Sequence, residues 1–450
     1  MLSKEMKALI NSALKLSKRN RTLTNHSTRQ AAISPNEGRR YLMVDLSLNF
    51  AGMELKNPLV VASSDVGRDI RQIKEAEECG ASAFITKAML PPDSVGLRWM
   101  PRYFVDAKAG TVCGIGGGRI LSYDEALGLI KEGKKETKIK LGVNIPYHGP
   151  MELERCADVS KKAADAGADF IELNFSPQVA GHLGTYLKSE DWEAQQGDEI
   201  DMLGAIMRDL PKWITEAIQT TKQATNIPVI AKMCPEGIDV VTMARAMESG
   251  GADAIDAVNI GGGAFKIDIF NSGKLAIPAA KSATLATAGA SLKTYAQGVV
   301  ARISNAVETP IMGTGGLMNW RDVVEMMMFG ATTVSFCTLL MIRGFAAIAE
   351  IEKGLTGYME QQGYSRLEDF RSLALKHVSP SGPACEIIPS LARVNEPDCT
   401  GCGICLKPAH CLAISMENDK AIVNETECLG CGTCFLLCPV HAIEMVEMPS

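Results

Sequence analysis

The tightest constraint on the fold of this 450-residue chain is a set of cysteines near its C-terminus. Eight of the fourteen cysteines form two triplets spaced by two residues, with one further cysteine after each triplet. They are Cys399, Cys402, Cys405 and Cys411, then Cys428, Cys431, Cys434 and Cys438. Thiolates in such tight turns converge on a metal group, whereas the other six cysteines are scattered singly. The pattern predicts metal ligation in a reducing compartment rather than a disulfide scaffold, so we expect a cytoplasmic protein.

The order of these cysteines favours iron. CLGCGTCFLLCP, at 428–439, matches the C-x2-C-x2-C-x3-C-P motif of [4Fe–4S] ferredoxins, although the first half has five residues between Cys405 and Cys411. In two-cluster ferredoxins the last cysteine of each half binds the other half's cluster. We therefore expect Cys438 to complete the first triplet and Cys411 the second, so that the insertion only lengthens the connection between clusters. Two zinc ribbons are the alternative.

Eight apolar, strand-like runs alternate with amphipathic segments in the large N-terminal part of the chain. The runs are 58–62, 83–88, 140–145, 169–176, 227–234, 253–260, 309–316 and 332–338. This alternation predicts an α/β fold, a (β/α)8 TIM barrel, with a doubly wound sheet as the alternative. The apolar run 326–342 contains Thr and Gly, and we interpret it as a buried strand between helices rather than a membrane span.

Composition and pattern divide the sequence into four segments. They are a basic helical N-terminal extension (1–42), the barrel (43–376), a linker (377–395) and an α+β ferredoxin-like domain for two [4Fe–4S] clusters (396–450). The net charge of −6 argues against nucleic acid or an anionic membrane as a main partner.

Polar residues and glycines stand where the predicted barrel strands end. They are Lys87, Asn144, Asn174, Lys232, Asn259, Gly261 to Gly263, and Gly315 with Gly316. Catalytic and binding groups of TIM barrels lie at this end, and a buried lysine or asparagine is costly unless it is paired. We therefore expect a shared polar ligand there, with GTGG (313–316) and Cys337-Thr338 suited to a phosphate. The alternative is that the polar residues only hydrate the barrel mouth.

These strand ends and the cysteine-rich tail together resemble a known family. ELNFS, IAKMCPEG, AVNIGGG, GTGGL and VSFCT resemble the FMN-binding barrel of the dihydroorotate dehydrogenases. With the tail included, residues 43–450 resemble the C-terminal half of the dihydropyrimidine dehydrogenases, in which that barrel is fused to a two-cluster ferredoxin domain. The resemblance implies FMN and two [4Fe–4S] clusters as cofactors.

The resemblance also implies roles for particular residues. Lys232 corresponds to the lysine beside flavin N1 and the C2 carbonyl, where a cation stabilises the anionic reduced flavin. Gly315, Gly316, Cys337 and Thr338 correspond to the phosphate site. The other expected flavin-binding residues are Ala62, Ser63, Lys87, Asn144, Asn174, Asn259, Gly261 and Gly262.

The chain departs from the family where the substrate is protonated. Family members read Asn-x-Ser-Cys-Pro, and that cysteine, or a serine in some dihydroorotate enzymes, exchanges a proton with the substrate. This chain instead reads NFSPQ at 174–178. Cys234 and Glu236 stand where Thr and Asn are usual. GIGGGR (114–119) lacks the last glycine of G-x-G-x-x-G, so we find no NAD(P)H site of the chain's own. The flavin-binding residues are retained while the pyrimidine-recognising residues are altered.

Another residue must then supply the proton. The long polar loop after the fourth strand, 177–198, offers His182 and Tyr186, and we take these and Ser176 as the candidate catalytic residues. Tyr147, His148 and Cys234 are further candidates. The alternative for each is a solvated loop residue without a catalytic role.

We expect an iron–sulfur flavoprotein oxidoreductase. Electrons from an external donor, either an NAD(P)H-oxidising flavoprotein subunit or a ferredoxin, pass through two clusters to FMN, which reduces an activated C=C bond of a small molecule. The alternatives are a dihydropyrimidine dehydrogenase subunit acting on uracil or thymine, an electron-relay subunit with a silent barrel, and a flavin-dependent isomerase or lyase. The resemblance further suggests a homodimer or hetero-oligomer.

Overall fold

Eight parallel strands close into a barrel in the computed structural model, which describes residues 43–90, 103–114, 120–175, 199–234, 239–263, 267–276, 285–378 and 388–448. The strands are β1 Leu59–Val61, β2 Ala83–Ile85, β3 Lys140–Pro146, β4 Phe170–Asn174, β5 Val229–Lys232, β6 Ala254–Ala257, β7 Ile311–Thr314 and β8 Thr333–Phe336. Their order around the barrel follows the chain, and β8 pairs in parallel with β1. This closure confirms the predicted TIM barrel and rules out the doubly wound sheet.

Helices follow each barrel strand. They are α1 Ile70–Glu78, α2 Tyr123–Glu136, α3 Leu153–Asp165, α4 Glu199–Ala224, α5 Val240–Ser249, α6 Lys293–Ser304, α7 Trp320–Met328, α8 Thr338–Arg343 and α9 Ala346–Gln362. Short 3₁₀ helices occupy Pro150–Glu152, Ala290–Leu292, Leu367–Asp369, Leu373–Lys376 and Ile404–Leu406. Local sequence fixes the start of α2, where Ser122 and Glu125 form a reciprocal capping box. The run 326–342 comprises the end of α7, the buried β8 and most of α8, as predicted.

Small residues in the strands set how closely the barrel packs. A Cβ on Gly142 of β3 would lie 2.2 Å from the ring of Phe170 on β4, and one on Gly313 would lie 2.5 Å from Met326 of α7. The strand register then decides which polar residues become neighbours. Asn144 is paired with Glu172, and Asn174 is paired with Lys232.

Additional strands come from the connections between barrel elements. Gly261–Gly263, Leu285–Gly289, Thr111–Gly114 and Tyr103–Asp106 form an antiparallel sheet in that order. Two-stranded pairs join Leu48–Phe50 to Met53–Leu55, Met89–Leu90 to Leu121–Ser122, and Ile267–Asp268 to Lys274–Leu275. The four-stranded sheet derives from residues that follow β2 and β6, which places it at the carboxyl end of the barrel strands.

The C-terminal module is a small α+β unit. Its strands are β9 Ser390–Val394, β10 Ile414–Glu417, β11 Lys420–Val423 and β12 Ile443–Glu447, and its helix is α10 Thr433–Leu437. Strand β9 pairs antiparallel with β12, and β10 pairs with β11. Residues 390–394, which the sequence places in the linker, are therefore part of the folded module.

Several predicted features lie outside the described residues. These are the extension 1–42, most of the glycine-rich segment 114–119, and the loop after β4 from Ser176 to Asp198. Among the helices that the structure does describe, none combines the length and the hydropathy needed to cross a membrane.

Candidate flavin and iron–sulfur sites

A layer of polar side chains fills the interior of the barrel, one from each of six successive strands. They are Asn144, Glu172, Lys232, Asp256, Thr314 and Ser335, and all are buried. At its centre the Lys232 ammonium lies 3.0 Å from Glu172 Oε1 and 2.5 Å from Asp256 Oδ2. We call these three residues the acid–lysine cluster. Charges in such surroundings persist only when they are paired and hydrogen-bonded.

The acid–lysine cluster has two carboxyl groups for one ammonium. Burial is the largest influence on the pKa of Glu172 and raises it. The positive charge of Lys232 lowers this pKa and the negative charge of Asp256 raises it further, and the result is a pKa of about 7. Burial would lower the pKa of Lys232, but the attraction of the two carboxyl groups outweighs it and raises this pKa. Lys232 is therefore a permanent cation, and Glu172 is an acid that can hold its proton near neutrality.

Three asparagines extend this network from the cluster to the ends of the strands. Asn144 Nδ2 donates to Glu172 Oε2 at 2.8 Å, and Asn174 Nδ2 donates to Asn144 Oδ1 at 3.3 Å. Asn259 Nδ2 donates to Asn174 Oδ1 at 3.4 Å. The structure thus brings together Asn144, Asn174, Asn259 and Lys232, four of the residues predicted from the strand ends. The amides link the buried charges to the mouth.

A second charged group lies where β1, β2 and β8 end. Lys87 Nζ lies 3.7 Å from Asp65 Oδ1, and burial lowers the pKa of Lys87 although Asp65 opposes this. Burial raises the pKa of the Cys337 thiol, against the effects of a hydrogen bond with Ser64 and of the nearby Lys87. The backbone N–H of Ala62 donates to the Phe336 carbonyl at 3.0 Å, which ties β1 to β8 at this end. Ala62 is buried, and the neighbouring Ser63 is half-buried.

The predicted phosphate-binding glycines have backbones that other residues could not replace. Gly315 has φ of 118° and Gly316 has φ of 79°, both in the left-handed region. A Cβ on Gly316 would lie 2.4 Å from the backbone nitrogen of Lys293, at the start of α6. Thr338 is buried at the first position of α8. Gly261 and Gly262 belong to the four-stranded sheet, which places them beyond the end of β6 rather than in the barrel wall.

Of the candidate proton donors, Ser176, His182 and Tyr186 lie outside the described residues, so their role stays a prediction. Tyr147 is buried, its ring meets that of Phe175 edge-on at 5.5 Å, and burial raises its pKa. His148 Nδ1 lies 3.3 Å from Glu152 Oε2. Cys234 is buried directly after β5.

The cysteines of the C-terminal module separate into two groups of four. Cys399, Cys402, Cys405 and Cys438 line one cavity. Cys411, Cys428, Cys431 and Cys434 line a second cavity. Each group therefore combines one triplet with the last cysteine of the other half, which is the arrangement expected for two [4Fe–4S] clusters.

The spacing of these thiols suits a cluster better than a single ion. In the part of the chain that the structure describes, no three His, Cys, Asp or Glu side chains converge closely enough to hold one metal ion. All eight thiols are free of disulfides. Four thiols around a cavity fit a bulky iron–sulfur group, whereas a structural zinc ion needs four ligands at bonding distance from one point.

The inserted residues before Cys411 place a histidine beside the opposite triplet. His410 Nε2 lies 3.5 Å from Cys431 Sγ, and Thr433 Oγ1 lies at the same distance. Hydrogen bonding between Cys431 and Thr433, through the side chain and the backbone of Thr433, is the main cause that lowers the pKa of Cys431 to about 7, and His410 adds to it. The sequence indicated a longer connection here, but it did not identify a contact to a ligand.

Glu172 and Asp256 are the functional-site residues that the sequence analysis missed. Both are charged residues inside apolar runs of predicted buried strands, ELNFS for Glu172 and DAIDAVNI for Asp256. A charge in a strand that is buried on both faces requires a partner inside the barrel. That signal was present, and it would have pointed to Lys232.

Comparison with known proteins agrees with this geometry. Residues 45–359 match the family model for dihydroorotate dehydrogenase, and residues 421–444 match the model for a 4Fe-4S binding domain. The chain belongs to the dihydroorotate dehydrogenase family. It is therefore an FMN-dependent oxidoreductase with an iron–sulfur domain, as the sequence predicts.

Its relatives include subunits of a dihydropyrimidine dehydrogenase and of dihydroorotate dehydrogenases. The chain is 26% identical over 372 residues to the NAD-dependent dihydropyrimidine dehydrogenase subunit PreA of Escherichia coli, covering 81% of this chain and 85% of the relative. It is 27% identical over 336 residues to the catalytic subunit of dihydroorotate dehydrogenase B (NAD(+)) of Pyrococcus abyssi, covering 74% of this chain and 99% of the relative. The corresponding subunit of Thermococcus kodakarensis is 28% identical over 341 residues, covering 74% of this chain and 98% of the relative.

Proposed function

We propose that this protein is a reductase in which electrons from an external donor pass through two [4Fe–4S] clusters to FMN and reduce an activated C=C bond of a small molecule. The observation that carries the proposal is the pairing, in one chain, of a flavin-type barrel with two separate four-cysteine cavities. One-electron carriers beside a two-electron cofactor are suited to loading that cofactor stepwise.

The residues at the barrel mouth fit an FMN molecule. Lys232 supplies a permanent buried cation for the pyrimidine edge of the ring, and Asn174 and Asn259 offer amides at the strand ends. Gly315 and Gly316 hold left-handed backbone conformations that other residues rarely adopt, and a glycine backbone lets its N–H groups approach a phosphate closely. FMN, when bound, supplies hydride transfer to the substrate.

The substrate we propose is an electron-poor alkene other than a pyrimidine. PreA is named a dihydropyrimidine dehydrogenase subunit, and uracil or thymine reduction is the second candidate because the similarity extends over 85% of that relative. However, the sequence NFSPQ lacks the cysteine that the family resemblance assigns to proton exchange. We assign the proton to the loop that follows β4, with Tyr186, His182 and Ser176 as the candidates.

We place the protein in the cytoplasm with a separate electron donor. A ferredoxin or an NAD(P)H-oxidising flavoprotein subunit fits this role, because the sequence offers no dinucleotide motif of its own. PreA is described as one subunit of an NAD-dependent enzyme, which supports a hetero-oligomer over a homodimer.

Anaerobic purification followed by a substrate screen tests the proposal. We expect about eight iron atoms and one FMN per chain, given two cubane clusters. Reduced with dithionite or ferredoxin, the enzyme should be reoxidised by activated alkenes and not efficiently by uracil, thymine or orotate.

Each alternative gives a different result in that screen. Efficient turnover of uracil or thymine would favour the dihydropyrimidine dehydrogenase. Flavin that is reoxidised by a protein partner but by no organic acceptor would indicate a relay subunit. Substrate conversion without net electron consumption would indicate an isomerase or lyase, and zinc in place of iron would refute the proposal.

A further inference from the structure

The acid–lysine cluster holds more negative charge than its lysine can neutralise. Glu172 and Asp256 are fully buried, and Lys232 is 4% exposed. With both acids ionised, the cluster would carry one uncompensated negative charge in the barrel interior. Such a charge is strongly unfavourable in a low-dielectric environment, and a shared proton removes it.

The hydrogen bonds indicate which acid carries that proton. Both acids have a donor at each oxygen, Lys232 and the Thr314 hydroxyl for Asp256 and Lys232 and Asn144 for Glu172. The Lys232 ammonium is nearer to Asp256, at 2.5 Å from Oδ2, than to Glu172, at 3.0 Å from Oε1, so the tighter ion pair favours ionised Asp256 and leaves the proton on Glu172. Glu172 also lies within hydrogen-bonding reach of Asp256. A proton on Glu172 can thus be donated to Asp256, which remains the anionic partner of Lys232.

The neighbouring strands add few other charges to this arrangement. Strand β3 presents the neutral Asn144 to Glu172, β5 presents Lys232 and β6 presents Asp256. The nearby charged and titratable groups at the mouth are Lys87 with Asp65, and Cys337, which senses the charge of Lys232. Among these groups of the described structure, Glu172 is the acid placed to respond to a change of charge beside Lys232.

We propose that Glu172 and Asp256 are positioning residues for Lys232 and that, above neutral pH, where Glu172 is ionised in the oxidised protein, Glu172 takes up one proton from solvent when the flavin beside Lys232 is reduced. The proposal rests on the proposed FMN function. Bound FMN would take up two electrons and one proton to become its reduced anion, and the family resemblance puts Lys232 beside the ring edge that would carry this negative charge. The added charge draws a second proton to the Glu172 carboxylate, so that two electrons and two protons enter together.

The pH dependence of the FMN midpoint potential in the holoprotein tests this coupling. One proton per two electrons changes the potential by about 30 mV for each tenfold change in proton concentration, and two protons change it by twice as much. We expect the wild type to show the two-proton slope above neutral pH, and Glu172→Gln to show the one-proton slope throughout. Asp256→Asn should approach the one-proton slope, because it removes the negative neighbour that keeps the proton on Glu172.

Asp253→Asn is the matched control. Asp253 is also an acid paired with a lysine, Lys222. It lies just before the amino end of β6, away from the barrel mouth, and accepts a hydrogen bond from the backbone N–H of Val229 at the start of β5. This variant should keep the wild-type slope. A one-proton slope in the wild type across the whole range would overturn the proposal even if neither cluster variant folds.

A measurement on the apoprotein separates this proposal from the flavin assignment. Infrared titration of the wild type without FMN should show one buried protonated carboxyl group that disappears as the pH rises above neutrality and that Glu172→Gln lacks. Equal spectra for the two proteins would refute the shared proton. A protein that shows this carboxyl signal but binds no FMN would refute the proposed function and leave the proton assignment intact.

Discussion

Glu172 should make the stability of the barrel decrease as the pH rises, which is unusual for a carboxyl group. Its pKa is about 7 in the folded protein against an ordinary value of 4.5, chiefly because of burial. An acid with a raised pKa contributes its full stabilisation below the unfolded pKa and loses it as the pH rises through the folded pKa. The free energy of unfolding should therefore decrease in the window between pH 4.5 and about pH 7.

The size of the effect follows from the same values. The gap between 4.5 and about 7 corresponds to about 3 kcal/mol, since each pH unit is worth about 1.4 kcal/mol. Glu172→Gln has no proton to lose, so its free energy of unfolding lacks this dependence. The wild-type value minus the variant value should fall by about 3 kcal/mol across the window and remain constant at higher pH.

Urea unfolding of the apoprotein under anaerobic conditions measures this difference. Trp213 in α4 and Trp320 in α7 report on the barrel by fluorescence. Glu54→Gln is the control, because Glu54 is exposed on a short hairpin and its replacement should leave the pH profile unchanged. Parallel profiles for the wild type and Glu172→Gln would show that Glu172 is ionised in the fold and would refute the reasoning.

Further predictions concern the phosphate site and the clusters. Gly316→Ala should weaken FMN binding by at least tenfold in a titration of the apoprotein, because Gly316 has a positive φ and an added Cβ would collide with Lys293 of α6. The control Gly298→Ala should leave FMN binding unchanged, because a Cβ at this position of α6 would meet no other atom. Cys438→Ala should remove about half of the iron, measured chemically, while Cys79→Ala should remove none. His410→Ala should lower one cluster potential in electrochemical titration without changing the iron content, because a hydrogen bond near Cys431 is lost.

The barrel and the grouping of the eight cysteines were predictable because their signals are local or strictly ordered. Eight apolar runs with helical segments between them allow few topologies, and strand closure is the outcome of that repetition. The two-cluster ferredoxin motif also predicts that Cys438 joins the first triplet and Cys411 joins the second. The pairing of 390–394 with 443–447 was missed, since a short edge strand carries no signal for a partner so distant in the chain.

The acid–lysine cluster was not predicted because it depends on register. Glu172 and Lys232 are 60 residues apart, and Lys232 and Asp256 are 24 apart. Whether their side chains meet is decided by which residue of β4 pairs with which residue of β5, and a shift of one residue would turn them to opposite faces. Apolar periodicity marks these strands as buried without fixing that register.

The two lysines of the site are held in different ways, and this difference implies different roles. Lys232 is bonded by two carboxyl groups, so its charge is fixed before any ligand arrives. Lys87 meets Asp65 only at 3.7 Å, and burial lowers its pKa. Neither carboxylate oxygen of Asp65 accepts a hydrogen bond within the described structure. Asp65 is shared with Arg68, whose Nε lies 3.6 Å from the same oxygen, so Lys87 is held more loosely than Lys232 and retains donors for a ligand at the mouth. The cluster around Lys232 sets the charge that this ligand meets.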